Sequence, residues 1–293
     1  MTFTVWMHYI NDMRETVTTY EPDNAIKNGY RGLLREVFRE LMDNKWLMYQ
    51  LVRRNIFAVY KQSLLGFLWA FIIPLISLGT FIVLNRAGVL AVGEIPVPYP
   101  LYALLALALW QIFATGIVAG ANSLVAAGGM LVKINFCRKA LVVAAFGPAL
   151  VSFIIQITAV LILFVVYGIA PGAAIVALPL AVLPVFLLAL GLSFLLSIIN
   201  GILRDVGTVL SSVIAFLLLL TPILYAVPKS GFFRDISLLN PMYYLITVPR
   251  ELVLSGASAN LAAYAVSCAF SILVFVVCVV IFHLTETRIT ERV

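Results

Sequence analysis

The sequence predicts an all-α integral membrane protein with six transmembrane helices, and three observations carry that reading. Hydrophobic residues make up 63% of the chain and charged residues 11%, a balance that excludes an ordinary soluble domain. The stretches 62–85, 95–132, 140–203, 206–228 and 252–282 contain no Asp, Glu, Lys, Arg or His. A bilayer core about 30 Å thick needs roughly 20 apolar residues per helical crossing, so each stretch holds a span and 140–203 holds two.

The elements follow in chain order. Residues 1–29 are polar and aperiodic and are expected to be a tail. Asp12, Glu15, Glu21 and Asp23 come early with no apolar run before them, so no secretory leader is expected and the first span begins near Leu65. Residues 30–62 carry two amphipathic stripes. Leu33, Leu34, Val37, Phe38, Leu41 and Met42 form the first; Met48, Val52, Ile56 and Val59 form the second, with Lys45, Arg53, Arg54 and Lys61 off it. An apolar face with a cationic flank describes helices lying in the membrane interface, where they either set topology or frame an entrance.

Residues 63–293 are expected to form the transmembrane domain, with spans at 64–85, 101–123, 140–166, 174–199, 206–227 and 259–283. Tyr167 to Gly172 supplies the turn between the third and fourth, and Asp205 is placed to cap the fifth beside Arg204. Pro74, Gly147-Pro148, Pro179 and Pro184 are expected to kink spans. Between Val227 and Ser258, Pro228, Pro241 and Pro249 interrupt an apolar run that also carries Arg234 and Asp235. Asn240 is a good N-cap, Pro241 a good first helical residue, and Leu254-Ser255-Gly256 a plausible end. Two short re-entrant helices on the outer side are expected here, between spans 5 and 6. Irregular backbone at that depth must be buried in protein or line a cavity, so the segment is either a pathway exit or a lid.

Lys and Arg near span ends orient the chain. Lys45, Arg53, Arg54, Lys61, Lys133, Arg138, Lys139, Arg204, Arg288 and Arg292 fall on one side, and Arg86, Lys229, Arg234 and Arg250 on the other. The first side is the cytoplasm, with both termini in it. The net charge of +6 therefore belongs to span ends meeting head groups rather than to nucleic acid.

Function classes narrow in the same way. Spans without ionisable residues weigh against an ion-coupled carrier, although backbone carbonyls can hold sodium. Asp205, Asp235 and Glu251 are too few and too scattered for a membrane-embedded lipid-modifying enzyme. Cys137, Cys268 and Cys278 give no disulfide framework, and two histidines read as lacking acidic neighbours give no metal site. No G-x-x-x-x-G-K-[ST] phosphate loop is present, so ATP-driven transport would need its engine on a second polypeptide, with no cofactor on this chain. The loop 126–139 has room for a docking helix after Gly128-Gly129: Met130, Leu131, Ile134 and Phe136 would offer an apolar surface, with Lys133, Arg138 and Lys139 around it. On residues alone, a positive loop touching lipid is the simpler reading. Phe67, Trp69, Phe71, Tyr102, Trp110 and Phe113 fit an interfacial belt, or platforms on which sugar rings could stack. Gln111, Asn122, Gln156 and Asn200 read as interhelical hydrogen-bonding groups.

Several motifs occur in an ordered series. Tyr60-Lys61-Gln62-Ser63-Leu64-Leu65-Gly66-Phe67-Leu68-Trp69 leads into the first span. Trp110-Gln111-Ile112-Phe113 and Gly120-Ala121-Asn122-Ser123-Leu124-Val125 follow, then Leu131 to Lys139, Arg204-Asp205, Thr221-Pro222-Ile223-Leu224-Tyr225, Leu239-Asn240-Pro241 and Pro249-Arg250-Glu251. From about residue 45 to the end, the chain resembles permeases of the ABC-2 type, in the branch that exports polysaccharides and teichoic acids. Cys137 stands where that family usually has proline. The resemblance implies the permease subunit, itself no enzyme, of an ATP-driven exporter of a polyprenyl-diphosphate-linked polysaccharide; export of another lipid or drug is the alternative. It implies a homodimer with two copies of an ATPase that binds ATP and Mg, in a bacterial inner membrane. It makes Met130, Leu131, Lys133, Ile134, Phe136, Arg138 and Lys139 the ATPase-coupling loop. Arg53, Arg54 and Lys61 become a cytoplasmic entrance for the lipid diphosphate, because cations there would meet its charge. Phe67, Trp69, Phe71, Tyr102, Trp110 and Phe113 become pathway aromatics, and Tyr225, Asn240, Pro241, Tyr243, Tyr244 and Arg250 an outer gate.

Overall fold

The computed structural model describes residues 29–61, 68–87, 97–128, 137–203, 205–225, 227 and 230–289, and every regular element among them is helical. The tail 1–28 and the loop residues 129–136 lie outside the described residues. Two helices precede the bundle: α1 (Gly29–Asp43) and α2 (Lys45–Lys61). The bundle runs α3 (Trp69–Arg86), α4 (Tyr99–Ala126), α5 (Arg138–Ala144), α6 (Gly147–Tyr167), α7 (Leu178–Ile202), α8 (Val206–Leu220), α9 (Phe232–Leu239), α10 (Pro241–Ser255) and α11 (Leu261–Ile289).

Four helical stretches are long and apolar enough to cross a membrane: Tyr99–Ala126, Arg138–Tyr167, Leu178–Ile202 and Leu261–Glu286. The chain is a multi-pass membrane protein. The remaining expected spans correspond to α3, whose leading residues lie outside those described, and to α8. At 15 residues, α8 is about 22 Å long, shorter than the hydrocarbon core.

Helix α4 is the axis of the fold. Leu101 and Ala103 to Trp110 are all buried, as expected of a helix apolar on every side and surrounded by others. It packs on α6, α7, α8 and α10, and α7 in turn packs on α11. Small residues allow the close crossings that replace a hydrophobic driving force in lipid. A Cβ on Gly191 of α7 would lie 2.6 Å from the Phe275 Cα of α11, so only glycine permits this approach.

The prolines divide into two groups. Pro74 and Pro184 lie inside α3 and α7, while Pro148 and Pro179 stand in the first turns of α6 and α7. Pro179 therefore starts its helix rather than kinking it, since a first-turn residue has no intrahelical acceptor for its amide, whereas Pro148 interrupts the stretch Arg138–Tyr167 between α5 and α6. Pro249 lies within α10 and does not break it. Gly168, at φ 64°, ends α6 in the left-handed region.

The amphipathic stripes are partitioned between protein and surroundings. Leu33 and Val37 of α1 are buried and Leu41 is partly so, whereas Leu34, Phe38 and Met42 are exposed. On α2, Leu51 is buried and Leu47, Met48 and Val52 pack against the core. The apolar face of α2 is thus packed against α5 and α6. Its outward face carries Lys45, Trp46, Tyr49, Arg53, Arg54 and Phe57.

Candidate functional site

Polar chemistry is concentrated at the two ends of the bundle. At one end, Pro148 explains how α2 is held. Proline has no amide to give the carbonyl four residues earlier, so the helix is interrupted at Ala145 and Phe146 and the Ala144 carbonyl loses its partner. Asn55 of α2 supplies one, donating from Nδ2 at 3.1 Å. Arg53 and Arg54 are exposed on the opposite face: the Arg53 guanidinium lies 5.6 Å from the Phe57 ring centroid, and Arg54 donates to Asn55 Oδ1 at 3.3 Å. Lys61 closes α2.

Beside this docking contact lies a buried ionic cluster. Lys139 is 1% exposed, and its Nζ contacts Glu40 Oε2 of α1 at 2.6 Å and Glu286 Oε1 of α11. His283 Nδ1 is 3.2 Å from the same Glu286 oxygen, and its Nε2 is 4.0 Å from Glu36 Oε2. Arg138 donates to the Glu286 backbone carbonyl, one of the last four carbonyls of α11 as described, where a helix lacks internal donors. Glu40, His283 and Glu286 offer ligand atoms within 4.8 Å of one another, but the Lys139 ammonium already supplies a cation to both carboxylates. Two expectations are corrected here. His283 does have acidic neighbours, because i,i+3 spacing puts Glu286 on its face and folding brings α1 alongside. Lys139 is not an exposed cation around a docking surface; its charge is consumed inside the chain.

Of the other predicted loop residues, Met130, Leu131, Lys133, Ile134 and Phe136 lie outside the described residues. Cys137 has φ −61°, a value proline also adopts, so the backbone there keeps the course proline would set. Burial pushes its thiol above the usual range.

A polar node joins α4, α7 and α8 near the same end. Asn200 donates to the Ala121 carbonyl at 3.1 Å and to Asn122 Oδ1 at 3.0 Å, while its own Oδ1 accepts from the Gly207 amide at 2.9 Å. Asp205 occupies the N-cap position of α8 but makes no side-chain cap. Asn200, from the preceding helix, satisfies the first-turn amide instead.

At the far end, α10 plugs the bundle. Asn240 caps it by accepting from the Met242 amide at 3.0 Å, and also donates to Thr221 Oγ1 at 2.8 Å. Gly256, at φ 76°, ends it. Arg250 is 2% exposed, donates to the Ile223 carbonyl, and lies 3.7 Å from the Tyr102 ring centroid. Its Nε has no hydrogen-bond partner among the described residues. Tyr99 donates to the Leu224 carbonyl at 3.1 Å. Thr221 to Leu224 is buried beneath these side chains. Tyr225 donates to the Leu219 carbonyl and Tyr244 to the Leu238 carbonyl of α9, and the Tyr243 and Tyr244 rings meet edge-on. Of the six predicted outer residues, Arg250 and Asn240 are thus the ones that tie α10 to the Thr221–Tyr225 segment.

Among the described residues the predicted aromatics do not converge. Trp110 and Phe113 pack against each other in the core of α4, Tyr102 lies under Arg250, Trp69 is exposed on α3, Phe71 is half-buried, and Phe67 is outside the described residues.

Residues 47–254 match the ABC-2 type transporter family. The chain belongs to that family. It is 30% identical over 212 residues to an O-antigen export system permease protein RfbA of Myxococcus xanthus, covering 71% of this chain and 80% of the relative. A protein of the same description from Klebsiella pneumoniae is 26% identical over 215 residues, covering 72% and 81%. The ABC-2 region begins within α2 and ends within α10, so it includes Asn55, the Asn200 node and Arg250. The ionic cluster joins it at Arg138 and Lys139 to elements on either side: α1 before it and α11 after it. Sequence reasoning passed over Asn55 and Glu40 because their partners are distant in the chain. His283 and Glu286 were legible as an i,i+3 pair closing an apolar helix.

Proposed function

We propose that this chain is the membrane permease subunit of an ATP-driven exporter that moves a polyprenyl-diphosphate-linked polysaccharide out of the cytoplasm. The observation that carries the reading is the family match across α2 to α10, together with two O-antigen export permeases among its relatives. The chain carries no phosphate loop, so ATP and Mg are bound by a partner ATPase, two copies serving a homodimer of this chain in a bacterial inner membrane. Six spans, with both termini cytoplasmic, put α1, α2 and the loop 126–139 on the ATPase side. Helices α9 and α10 then form the re-entrant pair at the outer exit.

The exposed face of α2 supports an entrance role. Among the described residues no carboxylate pairs with Arg53 or Arg54, which are exposed beside Trp46, Tyr49 and Phe57, a combination that meets diphosphate charge and head-group depth together. Arg53→Glu combined with Arg54→Glu should abolish surface display of the glycan while the permease still co-purifies with its ATPase. Unchanged display would remove the entrance role, and a permease that never captures an ATPase would overturn the transporter reading itself.

A further inference from the structure

Lys139 is the one lysine described as fully buried at this end, and it closes the loop 126–139 that meets the ATPase in the reading above, on which this inference rests. We propose that Lys139 is a positioning residue that carries the displacement of that loop to two other elements at once, α1 through Glu40 and the end of α11 through Glu286.

The geometry favours transmission over simple anchorage. Lys139 is the second residue of α5, so any movement of the loop is delivered directly to its backbone. Its ammonium contacts one carboxylate from each neighbouring element and is almost completely removed from solvent. Arg138, one residue earlier, holds the end of α11 by the Glu286 backbone carbonyl. The two successive cations therefore grip α11 by a side chain and a main-chain group. Glu36 and His283 extend the same cluster between α1 and α11. A buried charge pair broken on one side leaves an uncompensated ion. The three elements are thus constrained to move together or pay that penalty. A hydrophobic contact would allow sliding; a shared buried ammonium does not.

Hydrogen–deuterium exchange on the permease–ATPase complex in nanodiscs tests this, with Mg-ATP plus vanadate as the probe. In the wild type, trapping nucleotide should change exchange in three places: the start of α5, α1 around Glu40, and the last two turns of α11. With Lys139→Met, the response at α5 should persist while the responses at α1 and α11 fall at least threefold, and Lys139→Arg should restore them. A Lys139→Met complex whose α1 and α11 respond as in the wild type overturns the inference. Should Lys139→Met fail to assemble, Glu40→Gln isolates one arm: loss of the response in α1 with retention in α11 supports it, and retention in both overturns it. Failure of the wild-type chain to bind any ATPase would strike the functional reading instead, before either variant is compared.

Discussion

Replacing Asn55 tests how α2 is held to the bundle. The Ala144 carbonyl is orphaned by Pro148 and rescued by Asn55 Nδ2 at 3.1 Å. Asn55→Leu keeps the branching and heavy-atom count of the side chain but removes the donor. A typical hydrogen bond contributes about 1 kcal/mol net, and a buried acceptor left unpaired costs about 1–3 kcal/mol. The variant should therefore weaken docking of α2 by roughly 2 kcal/mol, about a 30-fold rise in local opening. Hydrogen exchange of the α2 amides between Leu47 and Ile56 reads this directly. The control is Pro148→Ala, which returns an amide at position 148 to serve the Ala144 carbonyl along the helix. In that background Asn55→Leu should cost less than about 1 kcal/mol, since the acceptor is no longer stranded. If Asn55→Leu accelerates exchange equally in both backgrounds, the orphan-carbonyl explanation is wrong and α2 is held by its apolar face alone.

Three other outcomes are expected. Gly191→Leu should lower the detergent melting temperature sharply, because a Cβ there meets the Phe275 Cα at 2.6 Å and overpacking costs about 1–3 kcal/mol even where neighbours can yield; Leu192→Ala, at a partly buried neighbour, provides the comparison for ordinary loss of packing. Asn200→Leu should destabilise α8 by about 2 kcal/mol through the unmet Gly207 amide, whereas Asp205→Ala should change stability by less than about 0.5 kcal/mol; equal effects would return the cap to Asp205. Arg250→Ala should loosen α10 from Ile223 by roughly 2 kcal/mol, the lost charge-assisted bond and ring contact outweighing relief of the unpartnered Nε. A cysteine substituted for Ile223, protected in the wild-type background, should then react with a water-soluble thiol reagent about 30-fold faster, and unchanged protection would refute Arg250 as a fastener.

The ends of helices were more legible than their relationships. Asn240, Pro241 and Gly256 bound α10 as local chemistry requires, because capping depends on groups within four residues of one another. Pro179 starts α7 instead of kinking it, since a proline's effect depends on whether its helix has already begun, which the surrounding apolar residues do not disclose. The stripe on α2 was visible, yet its partner was not: the same periodicity suits lipid or protein, and only the packing against α5 and α6 decides.

The sequence by itself determined that the chain lives in a membrane, that its long apolar stretches lack charge, and that its family is ABC-2. Each follows from composition or from residues adjacent in the chain. Tertiary structure alone decided where the remaining charges reside. Lys139 reads as a loop cation until Glu40, 99 residues away, and Glu286, 147 residues away, close around it. Arg250 reads as an outer-surface charge until Ile223 and Tyr102 bury it. A charge can leave water only when distant groups compensate it, and those distances are set by the fold.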